Sequence, residues 1–407
     1  MNSLRIVSLL FLSYSLALSA FAGDWPQWRG PDRNGVSAET GLLDEWPEGG
    51  PKLLWKTRGV GEGFSSVIVV AGRLYTMGDG KEASRVHCLD ASDGKSLWTS
   101  QAIGKTGGNY KGTRCTPTFD DGRLYVLGQF GDLVCLKAAD GSELWRKSLT
   151  EDFGGRSGGW NYTESPLVDE GKVMVTPGGK KGAVVALDKL TGDLLWQSED
   201  FTDPAQYSSL IVREFGGKRQ YVQLTGANVV GLDAASGKVL WKAPRKGRTA
   251  TISTPIFHEG HVFVSSAYGV GCNGFKVSHA GGSFSTKELY ANKSISNHHG
   301  GCIRVGEHVY GSSGGTLACL ELKTGKEKWR QRSAGKGSIL VIDGKIILRS
   351  ESGPVALVEL NPTSYREISR FDQPERAKAK AWSHPVVSNG ILYLKDQDLL
   401  LAYDLHK

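Results

Sequence analysis

The sequence predicts an all-β fold, an eight-bladed β-propeller of four-stranded antiparallel blades, and three observations carry that expectation. A stretch of eleven residues ending in tryptophan recurs along the chain, as in "CLDASDGKSLW" and "GLDAASGKVLW". Glycine is abundant, at 54 residues, while methionine falls to 3, the balance of a turn-rich chain. Apolar residues alternate with polar ones between the turns, which is the period of half-buried strands.

Taken in order, the first element is a leader. Arg5 supplies a positive start, Ile6 to Leu18 an apolar stretch and Ala20 to Ala22 a small-residue cleavage site, so residues 1–22 read as a secretory signal peptide. The apolar stretch is shorter than the roughly 20 residues a membrane span needs. No later stretch qualifies, so no transmembrane segment is expected, and the chain is expected to be exported to the periplasm or beyond. Gly23 rather than a cysteine follows the cleavage site, which speaks against lipid attachment there.

Residues 23–51 form an N-terminal arm that opens on "DWPQWRGPDRNG". Trp25 and Trp28 precede any regular strand, so they are expected to be buried as an irregular strap against a ring already present, with Arg29 tied by hydrogen bonds. Residues 52–407 are expected to form a single propeller domain. It begins with "KLLWKT" at 52–57, a strand with no companions beside it.

The repeats follow. Their tryptophans are Trp55, Trp98, Trp145, Trp196, Trp241 and Trp329; Trp98, Trp145, Trp196 and Trp241 fall 47, 51 and 45 residues apart. A degenerate copy, "FKVSHAGGSFSTKELY", puts Tyr290 where a tryptophan is missing, and the last copy ends near Tyr365. A period of 40–50 residues is that of a four-stranded blade. Each unit opens with a strand, a glycine turn and a second strand, as in "VIVVAGRLYTMG" and "PTFDDGRLYVLG". Gly94, Gly141, Gly192, Gly237 and Gly325 recur at one later turn position, where glycine adopts positive φ freely. The tail "HPVVSNGILYLKDQDLLLAYDL" holds three strands, so pairing it with "KLLWKT" completes an eighth blade and removes a sheet edge.

Composition excludes other classes. The formal charge of +7 is scattered, with no dense basic block of the kind a nucleic acid partner requires. Cys88, Cys135 and Cys319 occupy one repeat slot held elsewhere by Ala186 or Gly231. The slot wants a small buried side chain, and copies in separate blades lie too far apart to bridge. Cys115, Cys272 and Cys302 leave room for one disulfide.

The units "LDASDGKSLW", "LDKLTGDLLW" and "LDAASGKVLW" resemble the tryptophan-docking repeat of the quinoprotein, pyrroloquinoline-quinone (PQQ)-like propellers. The resemblance implies that each tryptophan packs between blades and donates its indole N–H to a backbone carbonyl of the neighbouring repeat. It also implies two branches of function. One comprises PQQ-dependent alcohol and sugar dehydrogenases that hold the quinone and a calcium ion over the channel mouth. The other is non-catalytic and is typified by the outer-membrane-assembly propeller lipoprotein. This chain has no adjacent cysteine pair and no C-x-x-C-H haem motif, which sets it apart from the first branch.

Loops between the outer strand of one blade and the inner strand of the next converge at one end of a propeller. They bring Phe64, Tyr110, Arg114, Trp160, Tyr162, Glu164, Tyr207, His298, His299, Trp382 and His384 toward one mouth. Aromatic and ionisable groups converging on a concave surface make a binding site. Arg114, Trp160, Tyr162, Glu164, Tyr207, His298, His299, Trp382 and His384 are therefore the candidate ligand-binding residues. Arg114 is expected to pair with Glu164. His298 and His299, neighbours in sequence, would point to opposite faces if the chain is extended, so no metal site is expected. No cofactor is expected unless the chain is a dehydrogenase; then Glu164 is the catalytic carboxylate, with Asp203 a weaker second, beside PQQ and calcium.

The leading expectation is an exported PQQ-like propeller that acts as a binding or scaffolding module. Its partner is another protein or an extended cell-envelope polymer held at the channel mouth. The first alternative is a PQQ-dependent dehydrogenase and the second a polysaccharide-binding propeller.

Overall fold

The computed structural model describes residues 23–299 and 301–407; the signal peptide expected over residues 1–22 lies outside them. The described residues form eight antiparallel sheets whose strands run from innermost to outermost in chain order, except that the outermost strand of blade 8 comes first in the sequence. The innermost strands are Ile68–Val70, Thr118–Asp120, Leu167–Asp169, Ile211–Phe215, Ile256–His258, Cys302–Val305, Gly337–Ile342 and Val386–Ser388, which open blades 1 to 8. Blade 1 carries an added short strand, Gly104–Lys105, and no helix occurs among the described residues.

Blade 8 closes as its sequence demands. Lys52–Thr57 pairs antiparallel with Leu399–Asp404, in the register Lys52↔Asp404 to Thr57↔Leu400. Leu399, Leu400, Leu401 and Ala402 are fully buried there. The two ends of the ring are thus held by one sheet.

In every blade the pairing of the third and fourth strands slips once, beside the docking aromatic in seven of them, as between Glu143 and Trp145 or between Cys319 and Leu320. Such a bulge turns the ring out of the sheet. The Trp145 ring then covers Gly192 of the next blade, whose φ is +76°, so close that a Cβ would lie 2.8 Å away. Trp55, Trp145 and Trp329 donate across the blade boundary to the carbonyls of Ala91, Lys189 and Asn361 at 2.9–3.1 Å, and Tyr290 reaches Leu322 at 2.7 Å. In blade 7 the slip lies between Ser369 and Glu367, so Ser369 takes the aromatic's place. Tyr365, where the last copy was expected to end, precedes the outermost strand Glu367–Phe371 and packs on Trp329 at 5.6 Å.

Three tryptophans depart from this pattern. Trp241 donates to Gln220 Oε1 of its own blade, and the Trp98 and Trp196 indole nitrogens are buried without a partner. Trp241 faces blade 5, whose degenerate copy is a hairpin of two ten-residue strands, Gly271–Ala280 and Ser283–Asn292. Its turn glycines lie at the far tip, so the usual acceptor is missing. All six cysteines are buried free thiols, so the bridge left open by sequence is not formed.

The arm lies inside the ring. Trp25 pairs through its backbone with Val69 of blade 1, and the Pro26 carbonyl accepts from the Phe119 amide of blade 2. Arg33 donates to the carbonyls of Ser165 and Pro166 at blade 3, and Trp28 Nε1 to Thr254 Oγ1 at blade 5. Arg29 Nη2 donates to the Cys302 carbonyl of blade 6 at 2.6 Å, and Gly35 and Ser37 bracket Val341 of blade 7. Only a segment on the axis can touch so many innermost strands. Trp25 and Arg29 are buried, as expected of a strap, whereas Trp28 is half-buried at the edge of a cavity.

Candidate binding site at the channel mouth

Above the arm, the loops that lead into the innermost strands enclose a cavity of about 320 Å³. Its floor is Trp28, whose ring packs on His384 with centroids 4.3 Å apart. One wall stacks Phe64 on Trp382 at 4.5 Å and Tyr110 on Trp382 at 5.4 Å; another sets Trp160 edge-on to Tyr207 at 5.7 Å. Aromatics serve here because they are large, stiff and apolar while carrying polar edges. Tyr110 is 60% exposed, the outermost of them.

Cations line the same space. The Arg114 guanidinium lies 5.5 Å from the Phe64 ring centre and donates to the Asn109 and Tyr110 carbonyls. Lys336 and Lys380 approach Glu351, at 3.2 and 3.5 Å. Burial would raise the Glu351 carboxyl, but the Trp382 indole N–H at 2.8 Å and the two ammonium groups outweigh it and hold it below its usual range. Burial pushes His298 down to about 4 and holds His299 and His384 well below the ordinary histidine value, so all three imidazoles are neutral at pH 7.

Of the nine candidates, Arg114, Trp160, Tyr207, His298, His299, Trp382 and His384 line this cavity. Tyr162 and Glu164 do not. Tyr162 is buried, its hydroxyl donating to the Pro177 carbonyl. Glu164 is 2% exposed within the channel wall, where its oxygens accept from the Thr176 amide and hydroxyl, the Leu210 amide and Gln223 Nε2. Along the loop that leads into Leu167–Asp169, Thr163, which lines the cavity, and Glu164 take opposite sides of the chain. Burial lifts the Glu164 carboxyl to about 7 against those hydrogen bonds and nearby Arg33. The expected Arg114–Glu164 pair is not formed. Asp203 is likewise occupied, accepting from Asn228 Nδ2 and the Thr225 hydroxyl.

The two histidines also correct the expectation. The chain bends at 298–299 instead of running extended, and the rings lie 5.2 Å apart on the same side. Sequence missed Glu351 in a turn of blade 7, Lys336 and Lys380 in the loops before and after that blade, and Trp28 as the floor. No local pattern marks these residues, because they meet only when the ring closes.

The residues present do not fit a quinone–calcium centre. The carboxylate that the resemblance offers, Glu164, is sealed in the wall with both oxygens hydrogen-bonded, and Glu351 is held by an indole and two lysines. At the other end of the channel a cavity of about 410 Å³ mixes Arg29, Arg33, Arg213 and Arg304 with Asp32, Glu214 and Glu259. Phe257 and His258 are the aromatic rings among its lining residues, without stacked walls like those of the mouth.

A family model described as "Outer membrane protein assembly factor BamB" matches residues 82–331. The BamB of Moranella endobia (strain PCIT) is 26% identical over 282 residues, 62% of this chain and 67% of its own. The crystal structure of BamB from Moraxella catarrhalis superposes with a TM-score of 0.63 at 16% identity, covering 87% of this chain and 97% of that one. The quinohemoprotein alcohol dehydrogenase of Comamonas testosteroni superposes with 0.58 at 14% identity, covering 95% and 81%. At such identities both likenesses establish the fold alone.

Proposed function

The chain belongs to the family of the outer membrane protein assembly factor BamB, a branch of the PQQ-like propellers, and from that membership we propose that it is an exported, non-catalytic docking module. It serves protein assembly at the outer membrane and receives a segment of another protein in the mouth cavity. The observation that carries this reading is the cup itself. Its walls are aromatic, its rim is cationic, and the chain's own arm stops it from below. A stopped cup holds an inserted side chain or chain segment and conducts nothing through the ring. Buried aromatic and arginine anchors in a concave site dominate protein–protein affinity.

The sealed state of Glu164 supports the non-catalytic side. A dehydrogenase needs a carboxylate base within reach of the substrate hydroxyl, and this one faces amides and hydroxyls of the wall.

The test is crosslinking from the cup. A photo-crosslinking amino acid at Tyr110, in cells making the full chain, is expected to trap a discrete protein adduct. Trp160→Ala and Arg114→Ala should each remove most of that adduct without lowering the melting temperature by more than a few degrees. An adduct to glycan alone would favour the polysaccharide reading. Quinone- and calcium-dependent alcohol oxidation lost on Glu164→Gln would overturn the proposal in favour of the dehydrogenase.

A further inference from the structure

We propose that His298 Nδ1, His299 Nε2 and one oxygen of Glu351 form a three-ligand site for a divalent transition metal ion of the zinc class, with its open position toward the mouth cavity. The proposal does not rest on the docking reading, although both use the same cavity.

Three observations carry it. The first is distance. One ligand atom from each residue lies within 4.8 Å of the others, and His299 Nε2 stands 3.5 Å from Glu351 Oε2. Tetrahedral zinc with bonds of about 2.0–2.1 Å places its ligand atoms about 3.4 Å apart. The second is an unsatisfied group. His299 is 6% exposed, and neither ring nitrogen has a hydrogen-bond partner among the described residues. Buried polar atoms without partners are rare and costly, and coordination would satisfy one of these.

The third is the surroundings. His298 Nε2 lies 2.8 Å from the Tyr268 hydroxyl, which turns Nδ1 toward the cation position that Lys336 now holds. Trp382 Nε1 holds the Glu351 carboxylate at 2.8 Å. Partners of this kind orient metal ligands from behind. Lys336 Nζ lies 3.3 Å from His298 Nδ1 and 3.2 Å from Glu351 Oε2. Its ammonium thus occupies the position of a cation between two of the three ligands. A lysine stem is flexible enough to withdraw when an ion arrives.

The donor set selects the ion. Two imidazoles and one carboxylate suit zinc, cobalt, nickel or copper, whereas calcium and magnesium take oxygen ligands throughout. With three protein ligands the fourth position stays open to water or to a carboxylate or imidazole of a docked chain.

The test titrates the metal-free mature chain with Co²⁺, read by its visible absorption, and then displaces it with Zn²⁺. One ion per chain is expected. His299→Ala and Glu351→Gln should each weaken binding by about 100-fold or more, beyond what loss of an outer partner costs, and Tyr268→Phe by about tenfold. Lys336→Met should tighten it, because no ammonium then competes, and His279→Ala at an exposed histidine should change nothing. If His299→Ala does not fold, His298→Phe with Glu351→Gln tests the same ligand set. Absence of uptake by the unaltered chain overturns the proposal even if Lys336→Met binds, since the lysine is then the resident cation. Uptake indifferent to both His299→Ala and Glu351→Gln overturns it as well.

Discussion

Glu164 shows what one side chain does in this ring. It keeps its proton up to about pH 7 in the folded chain, against an ordinary value of 4.5. Between those pH values the folded state binds more protons than the unfolded chain, so stability falls as pH rises through that window and then levels. The span corresponds to about 3 kcal/mol. Glu164→Gln carries no titrating proton and should lose that slope. Urea midpoints of the two proteins at pH 5 and pH 8 decide it, and equal pH dependence would remove Glu164 as the cause. Trp25 acts through packing instead. It is 3% exposed and lies against Gly30, where a Cβ would come within 2.9 Å of its ring. Trp25→Ala should destabilise the fold by about 3–5 kcal/mol, measured by the same denaturation.

A blade is a local object, and this explains why its elements were legible. The turn glycine, the bulge and the docking aromatic fall within eleven residues, so "ALDKLTGDLLW" already contains the Gly192 that receives Trp145 and the Trp196 that docks on Gly237. Tyr290 kept its docking role without being tryptophan, because its hydroxyl reaches the Leu322 carbonyl that an indole would have reached. Trp241 lost its partner for a reason outside its own repeat, the long hairpin of blade 5. Gly192→Ala tests the joint between blades. The new methyl meets the Trp145 ring and the residue must keep φ near +76°. Left-handed strain and overpacking together should destabilise by about 2–4 kcal/mol. Gly171, also in a blade-3 turn but with open space around its Cβ position, is the control and should tolerate alanine.

At the scale of the molecule, the ring is closed by its first strand and filled by the arm before it. These two roles separate experimentally. A chain beginning at Lys52 keeps the closing strand but uncovers the innermost strands that the arm satisfies. It should fold with a lower melting temperature and bind a hydrophobic dye at the opened channel. A chain beginning at Arg58 loses the partner of Leu399–Asp404 as well and exposes an apolar edge, so it should aggregate or fail to fold cooperatively. Equal melting temperatures for the Lys52 and Gly23 chains would show that the strap contributes nothing.

The repeat period, the number of blades, the closing strand and a buried Trp25 were determined by the sequence alone, because each follows from a pattern short enough to recur or from strands left without partners. The site was only partly legible. Loop positions brought Arg114, Trp160, Tyr207, His298, His299, Trp382 and His384 to one mouth, but which side of its loop each residue faces separates Thr163 from Glu164, and no repeat pattern states it. The tertiary structure alone placed Trp28 beneath the cavity and Glu351 beside His299, at sequence separations of 226 residues from Trp28 to Thr254 and 52 residues from His299 to Glu351. Repetition encodes contacts between equivalent positions of adjacent blades. Contacts across the axis join unlike positions, and they exist only once all eight blades have closed around the arm.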